Sequence, residues 1–431
     1  MCFQTKTINY KGWNVSLISN KWLRLFVAPR LGGRIIQFQM AGHDYFFVNP
    51  ALAGTEPDDT RLGANGTWLN YGGEKIWPAP QGWESPNQWP GPPDPVLDGG
   101  EYSIARDLSS ENTFTLKSPY DPYTGLQIER DITISENSSE VTILARFYNH
   151  CNSVKQWSLW PVCQMNTPEV TKGRKYQIIC QVNPKSKFEN GYKVMHGLVN
   201  SPQFNVNENG DLVVDYQYLV GKVGLDTNSN WLAYLDKSTG KVFVMKFNFE
   251  KDKVYPDDTS VQIWSQGRGL IHSRNKITEF GTNESVNPPY MEMELLSPLH
   301  SIQPGEKAEF EYRMLSTTIP LDSGITTIIN GVVVASHLSI SYEDGCIILT
   351  GQYGVFHAGT VRLSFKDSAG TNLNELNQLY QQSVSPLEGV SVRMKLNADQ
   401  IKKISSISLC LFGKNEKFIE EIDTLKIQTK I

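Results

Sequence analysis

The chain has 431 residues, 39% of them hydrophobic and 20% charged, with a formal net charge of -5 at pH 7. That balance predicts a folded protein with a sizeable core and two or three domains, and it lacks the basic stripe that a nucleic-acid partner would need. No run of about 18 apolar residues is present, so no membrane-spanning helix is expected. The six cysteines (Cys2, Cys151, Cys163, Cys180, Cys346 and Cys410) are widely spaced and form no CxxC pattern. The opening MCFQTKTINY carries no apolar signal-peptide core. Two locations stay open: the cytoplasm, and export with the signal removed, for which Cys2 would suit a trimmed lipoprotein end.

Taken in order, the chain reads as β throughout. Trp13–Ile18, Trp22–Ala28 and Arg34–Met40 are short apolar runs separated by turn residues, including Gly32 and Gly33, a pattern of antiparallel strands. Asp44–Asn49 is a further short strand. Beyond it, strands are predicted at Tyr102–Asp107, Thr113–Ser118, Leu126–Ile134, Glu140–Asn149, Lys155–Met165, Lys175–Gln181, Asp211–Tyr218, Trp231–Asp236, Lys241–Asn248, Val261–Ser265, Tyr290–Ser297 and Ala308–Ser316. Glu140–Asn149 is apolar on both faces, which suits an inner strand between two sheets. That makes on the order of sixteen strands before residue 320, with no amphipathic helix.

Glu56 to Tyr102 interrupts this pattern and organises the rest. It sets Trp68, Trp77, Trp83 and Trp89 among Asp, Glu, Arg, Lys, Asn and Gln, with Gly and Pro throughout. The composition predicts a long irregular segment. Rigid indoles beside carboxylates and amides are what a sugar ring requires, since indole covers its C–H faces while polar groups bond its hydroxyls. The alternative is a plug of local core at one end of a β-domain.

A boundary falls near Pro320–Gly324, giving domains 1–319 and 320–431. The second reads as a small β-sandwich, with helical pieces at Leu373–Gln382 and Ala398–Ile404, the latter capped by Asn397. It contains no tryptophan and reads as an accessory unit.

Three stretches carry a family resemblance: LFVAPRLGGRIIQFQMAGHDYFFVNP at 25–50, NYGGEKIWPAPQGW at 70–83 and YMEMELLSPLHSIQPGEKAEFEYRM at 290–314. Residues 10–317 resemble the galactose mutarotase-like superfamily, and the middle stretch resembles a branch of it found in bacterial proteins of unknown function. The resemblance implies an all-β fold, a large antiparallel supersandwich followed by the small C-terminal β-sandwich. For an aldose 1-epimerase-like isomerase it also implies a glutamate base late in the sandwich, matched here by Glu294, with Glu292 two residues away on the same strand face. The segment matching the family's histidine-bearing strand, WSLWPVCQM at 157–165, has no histidine. Candidates for the complementary acid are therefore Lys75, Tyr71, His272 and an aspartate among Asp58, Asp59, Asp94 and Asp98.

Substrate contacts are expected from Arg34, Arg61, Asn70, Tyr71, Trp77, Gln81, Trp83, Trp160, Trp264 and Arg268. Arg and Trp together suit a carboxylated sugar. No cofactor motif is present. A divalent cation such as calcium stays open, with Asp58, Asp59, Asn65, Asn70, Asp257 and Asp258 as oxygen donors. Two functions follow: a carbohydrate-active protein working on a sugar or uronic acid by carboxylate acid–base chemistry, as epimerase, isomerase, lyase or hydrolase, and a non-catalytic sugar-binding or structural protein. The partner in either case is a sugar or oligosaccharide.

Overall fold

Alternating polarity becomes antiparallel pairing almost throughout the computed structural model, which describes residues 4–57, 68–106, 110, 112–273, 276–329, 331–343 and 346–427. The chain divides into two compact units: Met1–Glu136 with Glu140–Leu235 and Phe243–Leu315, and Asn137–Ser139 with Asp236–Val242 and Ser316–Ile431.

The first unit is an antiparallel supersandwich. One sheet has twelve strands, ordered Gln4–Tyr10, Trp13–Ser19, Leu23–Ala28, Arg34–Met40, Glu74–Ala79, Lys155–Asn166, Tyr290–Leu295, Val261–Ser265, Gly221–Leu225 and Lys193–Gly197, with His43–Asp44 and His300–Ile302 pairing off this path. A ten-stranded sheet contains Leu126–Ile134, Glu140–Asn149, Lys307–Thr318, Lys241–Phe247 and Trp231–Asp236 near its middle. The core lies between the sheets. There Phe38 and Phe46 meet Phe243 at ring separations of 5.2 and 5.4 Å.

Arg34–Met40, Leu126–Ile134, Glu140–Asn149, Trp231–Asp236 and Val261–Ser265 have the bounds predicted from sequence. Through Thr318 there are 24 strands among the described residues, more than the pattern suggests. Several of the additional ones are short or exposed, such as Phe204–Val206 and Lys276–Phe280, and carry little periodic signal. Glu140–Asn149 also differs in its environment. Val141, Ile143, Ala145 and Phe147 are buried, but the other face is only half-buried, where Arg146 pairs with Glu129, Asp131 and Glu309.

The most consequential difference is Glu74–Ala79, a fully buried strand inside the segment expected to be irregular. Its pairing with Arg34–Met40 is limited to Ile35 opposite Glu74, which leaves that edge without a ladder where Pro78 sits, as proline requires. Two glycines allow the approach to it. Gly72 has φ +97°, and a Cβ there would lie 2.0 Å from the Phe47 carbonyl oxygen; Gly32 has φ +66°, and its Cβ would lie 2.0 Å from that of Asp98. Side chains would fit at neither position.

Beneath this strand, Glu74 points between the sheets and meets Arg130 in a fully buried ion pair. Arg130 also donates to the Gly33 carbonyl at 3.0 Å, and the Tyr312 hydroxyl donates to Glu74 Oε1 at 2.5 Å. Removing one partner of such a pair strands a buried charge. Arg130→Met is therefore expected to lower stability by about 3–5 kcal/mol, and adding Glu74→Met to recover part of that loss. Urea unfolding of the single and double variants checks this; a single-variant loss below about 1 kcal/mol would contradict it.

The second unit is built on two four-stranded sheets, Thr327–Ile329, Val332–Glu343, Cys346–Val355 and Val390–Leu396 in one, and Gln381–Val384, Gly359–Lys366, Ser406–Phe412 and Phe418–Lys426 in the other. Leu349, Tyr353, Leu363, Phe365, Ile407 and Leu409 fill its core. The helix Ala398–Lys403 starts with a capping box, Asn397 accepting from the Gln400 amide and Gln400 from that of Asn397. The other helical piece is only Asn374–Asn377, because Gln381–Val384 leaves as a strand.

Candidate functional site

Strand side chains alternate between faces, so with Glu74 held between the sheets, Lys75 and Trp77 emerge on the opposite face of the twelve-stranded sheet. Pairing register extends that face across five further strands. Trp77 lies opposite Trp160. Lys75 lies opposite Val162, which lies opposite Glu294, which lies opposite Gln262. The next row runs Gln164, Glu292, Trp264, Lys222, His196. Two acids, two lysines, two amides, three indoles and an imidazole thus share one surface.

Glu294 is its centre. Its side chain is completely buried, and its Oε2 accepts from Trp160 Nε1 at 2.8 Å and from Lys222 Nζ at 2.9 Å. Oε1 has no hydrogen-bond partner among the described residues. Burial pushes this carboxyl above the usual range; Lys222 and Trp160 oppose the rise and Glu292 adds to it. Glu292 accepts from Gln164 Nε2 at 2.7 Å and stands 3.7 Å from Lys75 Nζ. Lys75 lies 4.6 Å from the Trp77 ring centroid and makes no hydrogen bond among the described residues, nor does Gln164 Oε1. Burial brings the Lys75 ammonium down to about 8, with Glu292 opposing and Arg34 reinforcing the fall.

The indoles form a continuous group. Trp77 stands 6.2 Å from Trp68, 5.2 Å from Trp89 and 5.5 Å from Trp160. Asp98 orients one end of it, accepting on Oδ1 from both Arg34 at 2.5 Å and Trp77 Nε1 at 3.1 Å. Asp94 accepts from Trp89 Nε1 at 2.8 Å and caps the amides of Val96 and Leu97. Burial and the nearby Asp121 push the Asp94 carboxyl up to about 6.

Of the residues singled out from sequence, Glu294, Glu292, Lys75, Trp77, Trp160 and Trp264 meet on this face. Arg34 is wholly buried against Asp98. Tyr71 packs on Trp13 with Val15 and Leu17, in a core cluster. The Asn70 side chain accepts from the Gly72 amide at 3.3 Å. Gln81 and Trp83 are exposed on the loop that follows the strand. His272 sits on the Gly269–Ser273 ribbon, its ring 6.1 Å from that of His196. Arg268 lines a separate cleft of about 380 Å³ with Thr171, Tyr216 and Tyr218. Arg61, Asp58, Asp59, Asn65 and Cys2 lie outside the described residues; the other five cysteines are in no disulfide among the described residues.

Sequence reasoning passed over Lys222, Gln164 and His196. Gln164 carried a signal, being a polar residue in the largely apolar run from Trp157 to Met165 that register turns toward the acids. Lys222 and His196 carried none, since only pairing places them beside Glu294. Among the described residues, no group of three His, Cys, Asp or Glu side chains is placed to hold a metal ion, and Asp258 is instead paired with Lys187 at 2.8 Å. No described helix is long and apolar enough to cross a membrane.

Fold and site together describe an all-β sandwich protein with a polar, indole-lined sheet face. The chain belongs to the family described as Domain of unknown function (DUF4380), which matches residues 15–314. Similar solved structures include galactose mutarotase-like proteins from Lactobacillus casei (10% identity, 72% of this chain and 99% of that one, TM-score 0.45) and Clostridium acetobutylicum (10%, 74% and 99%, 0.45). A TPR-domain containing protein from Parabacteroides distasonis is similar over 72% of this chain but only 48% of its own length (12% identity, TM-score 0.44). No curated protein matches. At these identities no residue role passes from those proteins to this chain.

A lysine whose folded pKa is depressed carries a burial cost that is fully present below that pKa and is relieved as pH rises toward the unfolded value. Between pH about 8 and about 10.4, the stability of wild type relative to Lys75→Met should therefore rise, by on the order of 3 kcal/mol. Paired urea titrations across that window check it; a constant difference would contradict it.

Proposed function

We propose that the face bearing Glu294 binds a sugar ring and acts on it by acid–base chemistry. The observation that carries this reading is the Glu294 carboxylate, held at Oε2 by Lys222 and Trp160 and with no hydrogen bond to Oε1 among the described residues, beside the indoles of Trp77 and Trp160. Indole faces suit the C–H surface of a pyranose, and Glu292, Gln164 and Lys75 supply hydroxyl partners. A carboxylate made more basic by burial accepts a hydroxyl proton more readily than an exposed one. An epimerase or isomerase activity fits this arrangement best; lyase and hydrolase activities use the same carboxylate with a different bond broken.

A second reading, sugar binding without turnover, is favoured by the Lys222–Glu294 ion pair, which would hold the carboxylate as a fixed hydrogen-bond acceptor. The test is calorimetry and tryptophan fluorescence against neutral monosaccharides, uronic acids and oligosaccharides, with product analysis, on wild type and Glu294→Gln. The acid–base reading expects saturable binding by both proteins and turnover reduced about 10²- to 10⁴-fold in the variant. Binding by both with turnover by neither selects the second reading, and no binding by wild type rejects both.

A further inference from the structure

Three polar atoms on this face are buried without hydrogen-bond partners among the described residues: Lys75 Nζ, Gln164 Oε1 and Glu294 Oε1. Such atoms cost free energy unless something bonds them. They belong to three adjacent strands, and Val162 lies between Lys75 and Glu294 in the same cross-strand row. Strand spacing sets the two Cα atoms roughly 10 Å apart, and register puts both side chains on the same face, flanking Val162 from opposite sides. The row of Trp77 and Trp160 runs on one side of this row, and that of Gln164 and Glu292 on the other.

We infer that Lys75 is the second proton-transferring group of the site, its ammonium serving one oxygen of the sugar while Glu294 serves another. The inference rests on the acid–base reading above and deepens it. Glu294 Oε1 takes the proton of a hydroxyl, the C–O bond to the second oxygen breaks with its electron pair staying on that oxygen, and Lys75 Nζ delivers a proton there. The oxygen lone pair freed at the first hydroxyl closes a C=O bond, so the sugar gains and loses no atoms. Reverse transfers on ring closure restore both side chains.

The surroundings of Lys75 suit this role. No hydrogen bond from the described residues fixes the ammonium, and the Trp77 ring steadies it without accepting its proton. The charged and titratable groups acting on it are Glu292, Arg34, Asp98 and Cys163, with Glu294 across Val162. A buried lysine surrendering its proton near pH 8 exchanges it far more readily than an exposed one.

The test follows anomer exchange by NMR, starting from α-glucose, α-galactose and α-glucuronate, in wild type, Lys75→Arg, Lys75→Met and Lys75→Ala, with thermal unfolding as a check on folding. Expected are an alkaline fall in wild-type kcat/KM above pH about 8, and kcat lowered about 10²- to 10⁴-fold in the arginine and methionine variants with much smaller change in KM. Added ethylamine should restore activity to Lys75→Ala, which a merely structural lysine would not permit. Lys75→Arg retaining activity within about threefold of wild type and keeping the same alkaline limb would overturn the role of Lys75 while leaving the acid–base reading intact. Wild type that exchanges none of the three sugars overturns this inference, whereas the acid–base reading falls only if the wider panel above also shows no turnover.

Discussion

The Glu74–Arg130 pair sets the phase of the strand that carries the site. Side chains alternate strictly along a strand, so holding Glu74 between the sheets obliges Lys75 and Trp77 to stand on the other surface. A slip of one residue would turn the lysine inward between the sheets and carry the glutamate to the opposite face, away from Arg130. The backbone before the strand is constrained with equal force, because Gly72 approaches the Phe47 carbonyl more closely than any side chain would allow. Pinning from below and crowding from behind leave one register for residues 74–79.

Above that strand the charges are matched one to one: Arg34 with Asp98, Lys75 with Glu292, Lys222 with Glu294. Matching matters because most members are shielded from water, Lys222 being only partly so, and an unpaired buried ion would be costly. The matching is uneven. Arg34 and Asp98 are in close contact and bonded to a third group, Trp77, whereas Lys75 stands 3.7 Å from Glu292. The Arg34 pair reads as scaffold, and the loosely held lysine and half-bonded Glu294 are where reactive capacity remains.

Much of the sheet architecture was legible because period-two runs such as Leu126–Ile134 and Glu140–Asn149 need only local alternation to declare themselves. Glu74–Ala79 escaped for the opposite reason: its burial on both faces erases alternation, Pro78 counts against a strand, and the flanking glycines read as loop. Glu294 and Glu292 could be found from their spacing and from a family resemblance, and Lys75 and Trp77 from composition. Lys222 and His196 could not, since their place beside the acids depends on the order Lys193–Gly197, Gly221–Leu225, Val261–Ser265, Tyr290–Leu295, a long-range property that no local window contains. Arg34 and Tyr71 show the converse, residue types suited to a ligand but spent on internal packing.

The indole group has an optical consequence. Trp68, Trp89 and Trp160 each lie within 6.2 Å of Trp77, a spacing at which their excited states couple rather than emit as isolated rings. Absorption and ultraviolet circular dichroism from this group should therefore carry an exciton signature, and light absorbed by any one of the four can migrate to whichever ring has the lowest excited state. Trp160 donates to the Glu294 carboxylate and has the Lys222 ammonium 4.9 Å from its ring, so a change of charge at either group shifts its transition energy. The protein carries, in its own chromophores, a built-in optical readout of the ionisation of its central carboxylate.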